Sequence, residues 1–138
     1  MSTLDPAEHL AASSLAVAFA TANDTADLDE FRRILAPEAT FSVTIAGEQA
    51  VGPIEGADDV LEFLTTALGA QDDQRRHVIT NILAQRTDAG AAVQAYLTIF
   101  SVTEGSLSAV STGTYAFQVS LGERAALRSV EIALDLPY

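Results

Sequence analysis

The chain has 138 residues, 49% of them hydrophobic and 19% charged, which fits one globular domain with a core that closes without metal or disulfide staples and leaves no room for a second domain. It has no cysteine, which excludes thiol nucleophiles, disulfide frameworks and cysteine-ligated metal centres. Nineteen acidic residues stand against seven basic ones, all arginines, for a net charge of −12; phosphate backbones and anionic leaflets repel such a surface, so the expected partner is a small neutral molecule, with no nucleic acid and no membrane.

The first residues, Met1 to Asp5, carry no positive region ahead of an apolar stretch, unlike a signal peptide, so a cytoplasmic location is expected. The apolar stretch Leu15 to Ala22 is too short to span a bilayer. Asp5-Pro6-Ala7-Glu8 reads as a helix start, with Asp5 as cap, Pro6 in the first turn and Glu8 completing a capping box. The helix is predicted to run to about Ala22, because Ala11, Leu15, Ala18, Phe19 and Ala22 recur at steps of three and four and make one buried face. Asp27 caps a second, shorter helix whose stripe is Leu28, Phe31, Ile34 and Leu35 and which Pro37 stops.

From Thr40 the period changes to two. Phe41, Val43 and Ile45 alternate with Ser42 and Thr44 up to a turn at Ala46-Gly47-Glu48, a hairpin signal. A third amphipathic helix, with Val60, Leu61, Phe63, Leu64 and Leu68 on its apolar face, ends at Gly69. Four strand-like runs follow, near 75–87, 91–103, 107–120 and 125–135, separated by hairpin signals at Asp88-Ala89-Gly90, Glu104-Gly105-Ser106 and Leu121-Gly122-Glu123. Their length calls for a strongly twisted, curved sheet, with Gly113 as a bulge or bend. Helices in the N-terminal half and a mostly antiparallel meander after them indicate an α+β fold, a cone of curved sheet closed by helices, with an interior pocket at its wide end.

His77 begins a strand, where its imidazole titrates near neutral pH, and Asp24 follows the first helix. Each also has a plain structural role open to it, as a histidine satisfied by a backbone carbonyl and as a solvated turn residue. By the two-residue period His77, Ile79 and Asn81 share a face, as do Tyr96 and Thr98 on the next strand, with Tyr115 on the one after. If those faces look inward, Asn81 and the phenols of Tyr96 and Tyr115 could polarise a substrate oxygen. Tyrosine in a sheet is also ordinary half-buried packing. Arg75 and Arg76 could bind an acidic substrate or form surface pairs with carboxylates. Asp58-Asp59 and Asp72-Asp73 lack further ligands at metal spacing and read as solvation.

Three stretches, Phe19 to Phe41, Arg76 to Asn81 (RHVITN) and Ser111 to Tyr115 (STGTY), together with the order of elements, resemble the SnoaL-like branch of the nuclear-transport-factor-like cone fold, a cystatin-like roll. The branch includes polyketide cyclases and scytalone dehydratase, and is related to ketosteroid isomerase. The resemblance covers nearly the whole chain as a single domain. It implies acid–base chemistry without metal or cofactor on a small hydrophobic oxygenated molecule, with His77 and Asp24 as the pair. Phe19, Asn81, Tyr96, Thr98 and Tyr115 would contact substrate, and the sheet would bury itself in a homodimer. Phe19 stands where catalytic relatives commonly have tyrosine, Phe117 where aspartate is common, and Val130 lies in a last strand that lacks the usual tryptophan and arginine. These changes make the interior more apolar and keep open a non-catalytic module that binds a small ligand or a partner. The structural small subunit of ring-hydroxylating dioxygenases, which shares the fold, is a third possibility.

Overall fold

A computed structural model describes residues 3–138; Met1 and Ser2, part of the segment read for a leader, lie outside the described residues. Helix α1 (Pro6–Thr25) begins in the expected capping box, in which the Asp5 carboxylate accepts from the Glu8 N–H at 2.8 Å and the Glu8 carboxylate from the Asp5 N–H at 3.0 Å. It runs three residues past Ala22 and ends on Ala26 in the left-handed region, at φ 51°. That extension matters for the site, because it puts Asn23 and Asp24 on the last helical turn and not in a loop. Asp27 caps α2 (Leu28–Ile34), and the chain passes directly into β1 (Leu35–Ile45). Pro37 therefore lies within a strand, three residues after the helix has ended.

β1 folds back on β2 (Glu48–Glu55) through Ala46 and Gly47, both at positive φ, the left-handed pair that matches strand twist in a two-residue turn. Helix α3 (Ala57–Gly69) then carries the chain across to the far edge of the sheet. From there β3 (Gln74–Thr87), β4 (Gly90–Thr103), β5 (Ser106–Ser120) and β6 (Ala126–Leu134) meander back. The six-stranded order is β2-β1-β6-β5-β4-β3; every pair is antiparallel except β1–β6, where the returning strand meets β1 in parallel. The sheet curls without closing, and the three helices pack against it, the α+β cone expected from the sequence.

Phe19 is the centre of the core. It is fully buried, and its ring lies 5.2 Å from Phe31, 5.8 Å from Tyr115 and 5.8 Å from Phe117, in edge-on arrangements favoured between aromatic rings. Inward residues on β4 and β5 alternate strictly with outward ones, from Ala91 to Ser101 and from Ser111 to Val119. Of the register shifts in the sheet, two bear on the sequence reading. One lies on β5 between Ala109 and Ser111, opposite Phe100 and Ile99, and not at Gly113 as the sequence suggested. Gly113 itself pairs regularly with Leu97 and Leu134, and what it provides is room: a Cβ there would sit 2.1 Å from the Ala133 carbonyl oxygen. The other irregularity is a bulge on β3 between Thr80 and Leu83, where Asn81 adopts φ 55°. Among the described residues no helix is long and apolar enough to cross a membrane.

Candidate functional site

A cavity of about 350 Å³ opens between α3, the end of α1 and the inner face of the sheet. Most of its wall is aliphatic or aromatic, from Phe41 and Ile132 on the sheet to Phe63 and Leu68 on the helix. Polar groups reach it from the end of α1, from the start of β3 and from β5.

His77 is placed there by strand parity. It alternates with the exposed Arg76 and Val78, so its side chain leaves the inner face, lines the cavity and is only 6% exposed. β3 is an edge strand, so half of its N–H groups have no neighbouring strand to donate to. The longer α1 supplies an acceptor: the Asp24 carboxylate takes the His77 backbone N–H on both oxygens, at 2.9 and 3.0 Å, and lies 2.6 Å from the ring Nδ1. The Gln74 side chain adds a bond to the Asp24 carbonyl at 3.2 Å. Three contacts to one carboxylate fix its position. The ring donates Nδ1–H to Asp24, and for its Nε2 the described residues offer no hydrogen-bond partner. Neither plain structural role holds: Asp24 lies on the last turn of α1 with its side chain 12% exposed, and among the described residues no backbone carbonyl satisfies the His77 ring.

Tyr115 lines the same cavity from β5 and is 1% exposed. Burial raises its phenol well above the ordinary value, and the charges of Tyr138 and Asp24 act in the same direction. The group is a neutral hydrogen-bond donor at any physiological pH. The other residues expected to touch a ligand lie elsewhere. Phe19 is core, fully buried and absent from the cavity wall. Tyr96 and Thr98 share a face, as expected, but it is the outer one: Leu97 and Ile99 point inward between them, and Tyr96 is 59% exposed. Asn81 fails for a different reason. The bulge shifts the parity of β3, so that Ile82 and Ala84 take the inner positions and Asn81 turns out beside Tyr96 in a separate depression.

Sequence reasoning passed over Asn23, Gln71 and Tyr138, which all line the cavity. It left Arg75 between an acidic substrate and a surface pair. Arg75 does pair with a carboxylate, Asp73, but at the cavity wall and largely shielded from solvent. Asp73 is held in turn by the Ser101 hydroxyl, whose hydrogen bond, with help from Arg75, draws the carboxyl below its usual range against the opposing effect of burial. Tyr138 stacks on the guanidinium, 4.6 Å from ring centroid to Cζ. Burial raises its phenol too, and the Arg75 charge partly offsets this. Among the described residues no cluster of three or more His, Asp or Glu could hold a metal ion.

A sequence profile of the SnoaL-like domain matches residues 7–124. The chain belongs to this SnoaL-like family. Solved structures agree on the fold of the SnoaL-like chain. A cystatin-like-fold protein of unknown function from Nostoc punctiforme superposes with a TM-score of 0.78 at 20% identity, over 99% of this chain and 98% of that one. A chain from Novosphingobium aromaticivorans assigned as the β subunit of an aromatic-ring-hydroxylating dioxygenase gives 0.77 at 18% identity, over 93% and 89%. ActVI-ORFA from Streptomyces coelicolor gives 0.74 at 14% identity, over 92% and 97%. No curated protein sequence matches.

Proposed function

We propose that this SnoaL-like protein is a cyclase, dehydratase or isomerase that moves a proton on a small hydrophobic oxygenated molecule, with His77 as the base or acid and Asp24 as its positioning partner. The observation that carries the reading is the 2.6 Å contact between Asp24 Oδ1 and His77 Nδ1 at the wall of an apolar cavity. Asp24 holds the tautomer whose Nε2 can accept a proton from carbon or oxygen, and its charge stabilises the imidazolium formed once the proton has moved. The neutral Tyr115 phenol supplies a donor for negative charge developing on a substrate oxygen. The largely apolar walls strengthen each of these interactions.

Deuterium uptake into the methyl group of acetonaphthone, a neutral aromatic ketone, followed by proton NMR, tests this reading. Uptake should exceed the buffer rate and fall by about two orders of magnitude or more in His77→Gln, the usual range for a lost acid–base group. It should fall in Asp24→Asn as well. Uptake that is equal in all three proteins would sink the proton-transfer reading. The apolar walls would then favour a second one, a module that binds a small ligand without turnover.

We also propose that the outer face of the sheet is the contact of a homodimer. Val78, Leu83 and Tyr96 are 42%, 61% and 59% exposed there, a grouping of large apolar side chains on adjoining strands that favours a partner.

A further inference from the structure

Arg75 is a cavity residue that the proton-transfer reading leaves without a task. It stands two positions before His77 on β3, so both side chains leave the same face, about 7 Å apart along the strand. Of the residues lining the cavity, one is an arginine and none is an aspartate or glutamate, in a chain with nineteen acidic residues and seven arginines. Its side chain is 19% exposed. Withdrawing a guanidinium from water is costly unless its charge and donors are matched.

The match provided by the protein is partial. Both Asp73 oxygens accept from Arg75 Nε, at 3.2 and 3.1 Å, and no carboxylate among the described residues pairs with the two Nη groups. Asp73 is fixed by Ser101, which lies directly opposite Arg75 in the β3–β4 register and is 7% exposed. The guanidinium is thus braced along one edge by Asp73 and covered on one face by the Tyr138 ring, and its remaining fork of N–H donors has the planar geometry that suits a carboxylate. Bracing lowers the ordering cost that a flexible arginine would meet on binding.

We propose that Arg75 determines specificity in this cavity and that the substrate carries a carboxylate on an otherwise apolar, ring-containing skeleton. The inference rests on reading the cavity as the reaction site, and it changes the expected ligand from neutral to anionic. The net charge of −12 argues for a neutral ligand only where distant charges reach. Exposed carboxylates beyond about 8–10 Å are screened at physiological salt, so the Arg75 donors that face the cavity compete chiefly with the Asp73 and Asp24 carboxylates behind its wall.

Calorimetric titration with naphthylacetate and its neutral isostere naphthylacetamide tests the proposal on the full chain. The wild type should bind the acetate about ten- to a hundredfold more tightly than the amide, the value of a charge-assisted pair. That ratio should approach one in Arg75→Gln with amide affinity retained, persist in part in Arg75→Lys, and remain unchanged in Arg76→Gln, which alters an exposed neighbour. A wild-type ratio near one, an unchanged ratio in Arg75→Gln, or no binding of either probe overturns it. If Arg75→Gln loses the amide as well, Arg75→Lys decides: a ratio as low as that expected of glutamine rules out recognition of charge. The two readings separate in the wild type, where acetate selectivity without acetonaphthone exchange would overturn the proton-transfer reading alone.

Discussion

At the scale of single residues, the polar half of the cavity depends on groups that folding keeps protonated or holds in fixed pairs. Burial pushes the phenols of Tyr115 and Tyr138 upward, so the folded protein retains protons that the unfolded chain gives up near pH 10. Their contribution to stability is complete below about pH 10 and is lost as the pH rises beyond it. Urea unfolding followed across pH 8 to 11 should show this decline, with a shallower slope in Tyr115→Phe. An equal slope in the two proteins would mean that Tyr115 ionises in the folded state as freely as in the unfolded one. The resemblance to a known family pointed to His77 and Asp24, and the structure brings their side chains into contact. Asn81, Tyr96 and Thr98 were misplaced because period-two parity groups residues on a face without saying which face is inner. One extra residue on β3 then reverses the parity for everything after it. Arg75 was legible as a residue but not as a site, since its bracing comes from Ser101, twenty-six positions away in sequence and adjacent only through the register of β3 and β4.

Among the elements, order and type were written plainly in the pattern, from the capping box at Asp5 to the three hairpin signals of the meander. Less legible was the end of α1. Its apolar period stops at Ala22, but Asn23 caps a backbone carbonyl inside the helix, at 3.0 Å from Phe19, and Thr25 does the same to Thr21. These polar residues extend the last turn, with no apolar signal to announce it. Gly113 shows a similar gap between pattern and cause. A glycine in a strand suggested a bend, whereas the requirement is close approach to β6, with the Ala133 carbonyl oxygen 2.1 Å from where a Cβ would be. Gly113→Ala must therefore push β5 and β6 apart beside Leu134, a cavity residue. Overpacking of this kind costs about 1–3 kcal/mol, and chemical denaturation of the variant should show a loss in that range. A loss below about 0.5 kcal/mol would mean that the strands separate there freely.

For the whole molecule, the distribution of apolar surface matters more than its amount. The inner face of the sheet is committed to the core and the cavity, so the exposed Val78, Leu83 and Tyr96 have no use within one chain. Sedimentation velocity at micromolar concentration should give a dimer, which Tyr96→Glu and Leu83→Glu together should convert to monomer. A wild-type monomer across that range would remove the dimer proposal. The antiparallel meander needed only neighbouring runs and turns to be foreseen, but the meeting of β1 with β6 is fixed by how the curled sheet returns on itself, which no local pattern reports. That pairing sets Phe41 beside Val130 and Val43 beside Ile132, about ninety residues along the chain. Contacts of such separation bear the largest loop-closure entropy and form late. On the ribosome, the first hairpin must wait with one long edge open until the last strand emerges. The cavity has walls from both, so no ligand can assist the chain before β6 has emerged.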